Sequence, residues 1–349
     1  MSETTVRIGQ IGLGYWGPNL LRNMLSVPQA QVVAVADLDR NRLCEVAQNG
    51  RSGLATTQDY REVLARRDVD AVVIATPAAS HGQLAHEALL AGKHVLIEKP
   101  LAMNVTEGSR LVELADRHGL VLMVGHTFLY NAAVQRLKQY LEDGELGEVF
   151  YIYSQRLNLG RVREDVNALW NFAPHDVSIL LYLLQRTPLE VTARGFAYLQ
   201  PNVEDVVFIT LAFPANVSAH IHISWLDPHK VRQMTVVGSR KMAVYDDVST
   251  DARIVLYDRG VDRVPTADSP RDFKSFAEFQ LQLRSGDVTI PALKFPEPLR
   301  SECKHFVDCI LQGHAPLTDG RHGLEVVKVL EATQRSMSNH GAAVTIDGK

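Results

Sequence analysis

Val6-Arg-Ile-Gly-Gln-Ile-Gly-Leu-Gly-Tyr-Trp-Gly17 decides the fold. Its first six residues form a short, mostly apolar run that feeds straight into Gly12-Leu-Gly14-Tyr-Trp-Gly17. A Gly-x-Gly-x-x-Gly turn is weak evidence unless a strand precedes it and a helix follows. Here a strand is expected over Val6–Ile11 and a helix over 17–27. The next apolar run, Gln31-Val-Val-Ala-Val-Ala36, ends on Asp37, 20 residues beyond Gly17. That is the spacing of an acid that accepts hydrogen bonds from a ribose. The set reads as an NAD site. Gly12, Gly14, Tyr15, Trp16 and Gly17 surround the pyrophosphate at a helix N-terminus, and Asp37 takes the ribose hydroxyls and repels a 2′-phosphate. Leu38-Asp39-Arg40 adds one cation but also a second acid, which keeps the preference for NAD over NADP. The plain alternative is a tight strand–helix turn with no ligand, and the acid at the expected spacing disfavours it.

The same rhythm continues outward. Ala71–Ala75, His94–Ile97 and Val121–Val124 are short, continuously apolar runs, and helical stretches over 39–49, 81–92 and 105–118 separate the strands. Strand–helix alternation predicts a doubly wound parallel sheet, a Rossmann domain over residues 1–125. Residues 126–349 change character. Strands are expected over Glu148–Asn158, Val191–Tyr198, Val206–Phe213, Val217–Trp225, Gln233–Val237 and Ala243–Asp247. Ala219-His-Ile-His-Ile-Ser-Trp225 alternates apolar and polar residues, the mark of a strand with one open face. The second domain is therefore an α/β unit with a large, mostly antiparallel, open-faced sheet. Residues 259–297 read as a long excursion, followed by helices over Pro298–Gly313 and Gly323–Ser336.

Composition limits the partners. Lys+Arg 36 against Asp+Glu 40 gives a net charge of −4, which leaves no basic footprint for nucleic acid or an anionic membrane. No apolar run approaches the ~20 residues that span a bilayer, and Met1–Arg7 has no leader-like pattern. The three cysteines (Cys44, Cys303, Cys309) are too scattered for a disulfide framework. A soluble, cytoplasmic protein is expected. His220 and His222 share a strand face but lack further ligands, so no metal is expected.

Glu98-Lys99-Pro100 lies just past the fourth strand, where ligands bind in open α/β sheets. A lysine there can hold a substrate hydroxyl and share in its proton transfer. Thr76-Pro77, with His81 five residues after the Thr, precedes it, and Glu297-Pro-Leu, His305-Phe-Val, Asp319-Gly320 and Gly323-Leu follow near the C-terminus. With the glycine turn and Asp37, this series resembles the glucose–fructose oxidoreductase/inositol dehydrogenase/MocA (Gfo/Idh/MocA) family along almost the whole chain. The resemblance implies a Rossmann domain followed by an α/β domain whose open sheet mediates oligomerisation, here a homodimer or homotetramer. It also implies reversible hydride transfer between a nicotinamide and a sugar or cyclitol hydroxyl. Thr76, Pro77, His81 and Glu98 join the cofactor set, and Lys99 becomes a catalytic and substrate-binding candidate.

The family's second signature is an Asp followed four residues later by a His. In Trp170-Asn-Phe-Ala-Pro-His-Asp-Val-Ser178, His175 matches the His, while Asn171 stands at the Asp position. An amide orients a hydroxyl but takes no proton at neutral pH. His175 is the expected base. With Pro174 at the first helical position, the ring would sit in the first turn, where the helix dipole keeps it neutral. The substrate oxygen is expected between Lys99 and His175. Arg156, Arg161 and Arg163, with Asn158 among them, form either a phosphate or carboxylate clamp or ion pairs with Glu164 and Asp165. Tyr130 and His126, after the fifth strand, are expected to face the cleft. Leu157-Asn-Leu-Gly-Arg161 together with Ala168–Asp176 looks like the family branch of nucleotide-sugar 3-dehydrogenases, acting on UDP-N-acetylhexosamines. A dehydrogenase of free sugars or cyclitols, and a dinucleotide-binding sensor without chemistry, are the alternatives.

Overall fold

The computed structural model describes residues 5–48, 53–160, 162–265 and 279–346. They fall into two compact units. The first contains six parallel strands, β1 (Val6–Ile11), β2 (Ala30–Ala36), β3 (Ala55–Thr57), β4 (Ala71–Ile74), β5 (His94–Glu98) and β6 (Leu122–Gly125), in the order β3-β2-β1-β4-β5-β6. Between them run α1 (Gly17–Met24), α2 (Arg40–Gln48), α3 (Tyr60–Ala65), α4 (His81–Leu90) and α5 (Val105–His118). Every residue of β4 is fully buried, as expected of a strand covered on both faces. The order reverses between β1 and β4, and their carboxyl ends make the switch point where open α/β sheets take ligands.

The second unit centres on nine strands: β7 (Val149–Leu157), β8 (Glu190–Phe196), β9 (Val206–Phe213), β10 (Val217–Ser224), β11 (Val231–Gly238), β12 (Met242–Asp246), β13 (Ile254–Pro265), β14 (Phe279–Thr289) and β15 (Val344–Thr345), ordered β14-β13-β12-β11-β7-β10-β9-β8-β15. Among the described residues of this sheet, only β7 and β10 pair in parallel. Helices α6 (Ala132–Glu142) and α7 (Ala168–Leu184) belong to this unit, apart from Val177–Ile179 of α7. Along β7, Ile152 and Ser154 point inward while Tyr151 and Tyr153 are exposed, the alternation of a sheet covered on one face.

Three expectations change. The chain leaves the first unit near Asn131 but returns to it over 295–332, which a single boundary at 125/126 does not describe. The returning helix α8 (Pro298–Gln312) places Leu299, Cys303, Phe306 and Val307 in one core with Ile8, Leu20, Leu21 and Met24. In α9 (Gly320–Ser338), a Cβ on Gly323 would lie 2.5 Å from the Val124 side chain, so glycine lets this helix close on β6. Second, much of 259–297 is the β13–β14 pair and not an excursion. Asp-Arg pairs and glycines within these two strands imitate a loop in the sequence. Third, α7 starts at Ala168, so Pro174 and His175 lie in its interior and not in the first turn. Asn167 is the N-cap, its side chain accepting from the Trp170 N–H at 3.1 Å, and this cap outweighs the proline as a start signal. The neutralising dipole expected at His175 therefore does not apply, since that effect fades within one turn. Among the described residues no helix is long and apolar enough to cross a membrane.

Candidate active site

The glycine turn is built as the sequence demands. Gly12 has φ +98°, and a Cβ there would lie 2.5 Å from the Ala75 carbonyl oxygen, so the turn touches the end of β4. A Cβ on Gly17 would meet the Gly12 carbonyl oxygen at 2.5 Å. Buried Gln10 ties the turn from below, its Nε2 donating to the Gly12 and Gly17 carbonyls at 3.0 and 2.8 Å. The sequence reading did not single out Gln10; its cue was a polar residue inside an apolar strand. A Cβ on Gly14 would make only an ordinary contact with Arg42 Nη1 at 3.8 Å, which leaves the room a pyrophosphate needs at this position. Tyr15 and Trp16 stand out from the turn, 85% and 38% exposed. Asp37 is held by two backbone donors, Leu13 N–H at 2.6 Å and Asp39 N–H at 2.8 Å.

Thr76, Pro77 and His81 join β4 to the lysine turn. His81 Nδ1 lies 2.6 Å from the Pro100 carbonyl oxygen and Nε2 3.0 Å from that of Thr76. Burial lowers the His81 pKa, against the raising effect of these carbonyls. The Lys99–Pro100 peptide is cis. Glu98, just before it, keeps a buried carboxyl whose Oε1 has no partner among the described residues. Burial raises the Glu98 pKa to about 7, opposed by the Lys99 charge and by a hydrogen bond from the Trp16 indole.

Beyond β6 lies a polar group of which the sequence points only to His126. His126 is buried with neither ring nitrogen partnered among the described residues, and its ring meets His322 edge-on at 5.4 Å. Burial, then the His322 and Lys99 charges, hold the His126 pKa well below its ordinary value. His322 Nε2 lies 3.0 Å from the Ser178 hydroxyl, and burial pushes its pKa down to about 4. Glu302 is also enclosed, and burial together with the Glu98 charge raises its pKa well above the usual range despite the Thr127 hydroxyl donating to it at 2.8 Å. Glu302 and His322 come from the returning helices α8 and α9, far beyond β6 in the chain. No local pattern marks them.

The orphaned polar atoms of Glu98 and His126, at the carboxyl ends of adjacent strands, complete a fit to a dinucleotide: glycine cradle at one end, ribose acid beside it, unsatisfied polar groups at the other. Tyr130 departs from expectation. It is 5% exposed, packs in the core of the first unit and shares a hydrogen bond with the Thr318 hydroxyl at 3.2 Å, so it does not face a cleft.

In the second unit, Asn171 and His175 lie one turn apart on the same face of α7, both half-buried. Asp176 beside them is structural. Its carboxylate accepts from Arg156 Nε at 2.5 Å and from the Ser154 hydroxyl at 2.6 Å, all three buried. Arg156 is thereby corrected from an anion clamp to half of a buried ion pair, because a desolvated guanidinium needs a fixed counter-charge. Arg163 pairs with Asp165 at 2.5 Å on the surface. Asn158 donates its backbone N–H to the Ser224 carbonyl at 3.1 Å at the end of β7. Arg161 lies outside the described residues.

Comparison with known proteins agrees with this geometry. The Gfo/Idh/MocA family model, an oxidoreductase family with an NAD-binding Rossmann fold, matches residues 6–126. A Gfo/Idh/MocA C-terminal domain model matches residues 134–244. The UDP-N-acetylglucosamine 3-dehydrogenase of Acidithiobacillus ferrooxidans is 29% identical over 76% of this chain and 82% of its own length. The scyllo-inositol 2-dehydrogenase (NAD(+)) of Bacillus subtilis is 25% identical over 99% of this chain and 98% of its own. Among solved structures, a putative oxidoreductase from Magnetospirillum magnetotacticum superposes with a TM-score of 0.77 at 30% identity, covering 94% of this chain and 99% of that one.

Proposed function

The chain belongs to the Gfo/Idh/MocA family of NAD-dependent oxidoreductases, and from that footing we propose that it oxidises a ring hydroxyl of a UDP-N-acetylhexosamine-like sugar to the keto sugar. The observation that carries this reading is the likeness to a UDP-N-acetylglucosamine 3-dehydrogenase over three quarters of the chain. Bound NAD supplies the hydride acceptor. Lys99, at the carboxyl end of β5, holds the substrate hydroxyl and favours its ionised form. His175 takes the hydroxyl proton as the carbon is oxidised, and Asn171, one turn earlier, orients the hydroxyl without accepting a proton. Asp176 has no part in this step, since Arg156 and Ser154 engage its carboxylate.

A specific observation also favours a free cyclitol or sugar as substrate. Arg156 and Arg163 each pair with an aspartate of their own unit, and the inositol dehydrogenase relative aligns over nearly the whole chain. Incubation with NAD and either UDP-N-acetylglucosamine or scyllo-inositol, followed at the NADH absorbance, separates the two. Turnover of the nucleotide sugar alone supports the proposal, and turnover of the cyclitol alone overturns it.

The open face of the nine-stranded sheet is proposed as a self-association surface, giving a dimer or tetramer. It exposes Tyr151 and Tyr153 of β7, Phe196 of β8 and Phe208 of β9, with the Phe208 ring stacked on His222 at 4.4 Å. Large aromatic side chains exposed together on one sheet face mark an interface in soluble proteins. Tyr153→Asp should shift the native mass to a smaller species; an unchanged mass, or a monomeric parent, would remove the proposal.

A further inference from the structure

Two carboxyls converge on the end of β6, and among the described residues one cation acts on them. Glu98, the last residue of β5, folds its carboxyl over Gly125, where a Cβ would lie 3.2 Å from Oε1. Glu302 of α8 is 0% exposed and reaches the same strand end, accepting from the Thr127 hydroxyl at 2.8 Å. Each keeps an enclosed Oε1 with no partner among the described residues, and both ring nitrogens of buried His126 are in the same condition. The cation is Lys99, which acts on Glu98, and the Trp16 indole adds a donor. The other titratable neighbours carry no charge near pH 7. Burial keeps His126 and His322 unprotonated, and it keeps the Tyr130 hydroxyl and the Cys303 thiol protonated. The Glu98 charge opposes ionisation of Glu302. Two desolvated carboxyls facing a single ammonium do not both ionise, so the pair keeps a proton.

We propose that Glu98 and Glu302 together read the charge of the nicotinamide ring: the pair gives up a proton to solvent when the cationic, oxidised ring binds and keeps it when the ring is reduced. A dinucleotide lies across the switch point of the sheet. With one ribose at Asp37 beside β2, its other end falls on the β4–β5–β6 side, where these carboxyls are. A cation arriving there supplies the second positive charge that the pair lacks. Both cofactor forms carry the same pyrophosphate, so only the ring charge differs between them. After hydride transfer the ring is neutral, and the pair recovers a proton from solvent. Glu302 is a positioning residue that acts through Glu98, which is part-exposed beside Lys99. The inference rests on NAD binding and not on the identity of the sugar, so failure of the sugar assignment leaves it intact.

The test is calorimetry on the NAD-free full chain, titrated with NAD+, NADH or ADP-ribose in phosphate and in Tris at pH 7. The two buffers differ in heat of ionisation, so the difference in binding heat counts the protons exchanged. NAD+ should release protons, whereas NADH should not, nor should ADP-ribose, which has the pyrophosphate but no ring. The ratio Kd(NADH)/Kd(NAD+) should accordingly rise from pH 6 to pH 8, approaching about tenfold per pH unit if one full proton is linked. Glu302→Gln keeps an acceptor for Thr127 but removes the second carboxyl, and it should lower the release and flatten the rise. Glu98→Gln, at the part-exposed member of the pair, should do the same and serves if the first variant does not fold. The proposal is overturned if the parent exchanges as many protons with NADH as with NAD+, or if a folded variant of either carboxyl keeps the parent's difference.

Discussion

Asp37 and Asp176 are both carboxylates less than a tenth exposed, and they are held by opposite means. Asp37 is gripped by two backbone N–H groups, Leu13 of the glycine turn and Asp39 of its own turn, with a guanidinium at longer range. Asp176 depends on a guanidinium at 2.5 Å and a hydroxyl, both from β7, some 20 residues away in the chain. The first arrangement leaves the carboxylate beside a solvent-facing turn, available to a ligand. The second closes upon itself. An acid secured by backbone donors can serve recognition, whereas an acid secured by a buried arginine serves the fold. That contrast also separates the arginines the sequence grouped together: Arg156 belongs to the interior, while Arg163 meets Asp165 at the surface.

The largest expected effect falls on the groups that each region offers for chemistry. Lys99→Ala and His175→Ala should each lower kcat by about 10²–10⁴-fold with the dissociation constant for NAD little changed, as for a positioned acid–base group. Single-turnover absorbance and calorimetry measure the two quantities separately. A variant with near-normal kcat would take its residue out of the mechanism. Asp37→Ala provides the contrast, because its effect should lie in cofactor binding first.

What could be read in advance follows the same division. Strand β1, the glycine turn and Asp37 were legible because their constraints are local: a positive φ at Gly12, close backbone approach at Gly17, a fixed spacing to the acid. The strands of the second unit were legible from alternation, most clearly β9, whose bounds match expectation. Helix α7 misled because Pro174 is a start signal in isolation, while Asn167 caps the helix earlier. Tyr130 misled because following a strand end says nothing of which way a ring turns, and here it turns inward to Thr318. Glu302 and His322 were illegible, since the fold brings them to β6 from the other end of the chain.

The next effect tests whether Arg156 is structural. Arg156→Ala leaves Asp176 buried without its counter-charge, which should cost about 3–5 kcal/mol of stability. Arg163→Ala breaks an exposed pair and should cost less than about 1 kcal/mol. Urea denaturation of both variants measures the difference. Similar losses would erase the distinction between the two arginines. If Arg163 also meets a substrate diphosphate, its alanine variant should raise KM for a nucleotide sugar about tenfold or more at unchanged stability.

The smallest effect concerns a third way to keep a carboxyl, with no cation paired to it among the described residues. Glu302 is enclosed, with the Thr127 hydroxyl its one donor among the described residues and the Glu98 charge nearby, and its pKa stands well above 4.5. A carboxyl with a higher pKa folded than unfolded binds more protons in the folded state, so it weakens stability as pH rises from its unfolded value towards its folded one. For Glu98 that window runs from 4.5 to about 7, and for Glu302 it begins at the same point and extends upward. Glu302→Gln keeps the side chain's size and an acceptor for Thr127 but removes the titration. The melting temperature of the NAD-free variant, relative to the parent, should therefore rise between pH 5 and pH 8, by a few degrees for each ~1 kcal/mol relieved. Lowered histidines such as His322 act in the opposite sense, gaining stability as pH rises from about 4 through 6.5, but they are common to both proteins and drop out of the difference. A difference that stays flat from pH 5 to pH 8 would mean that Glu302 is ionised at little cost, and that this carboxyl, like Asp37 and Asp176, has a held counterpart after all.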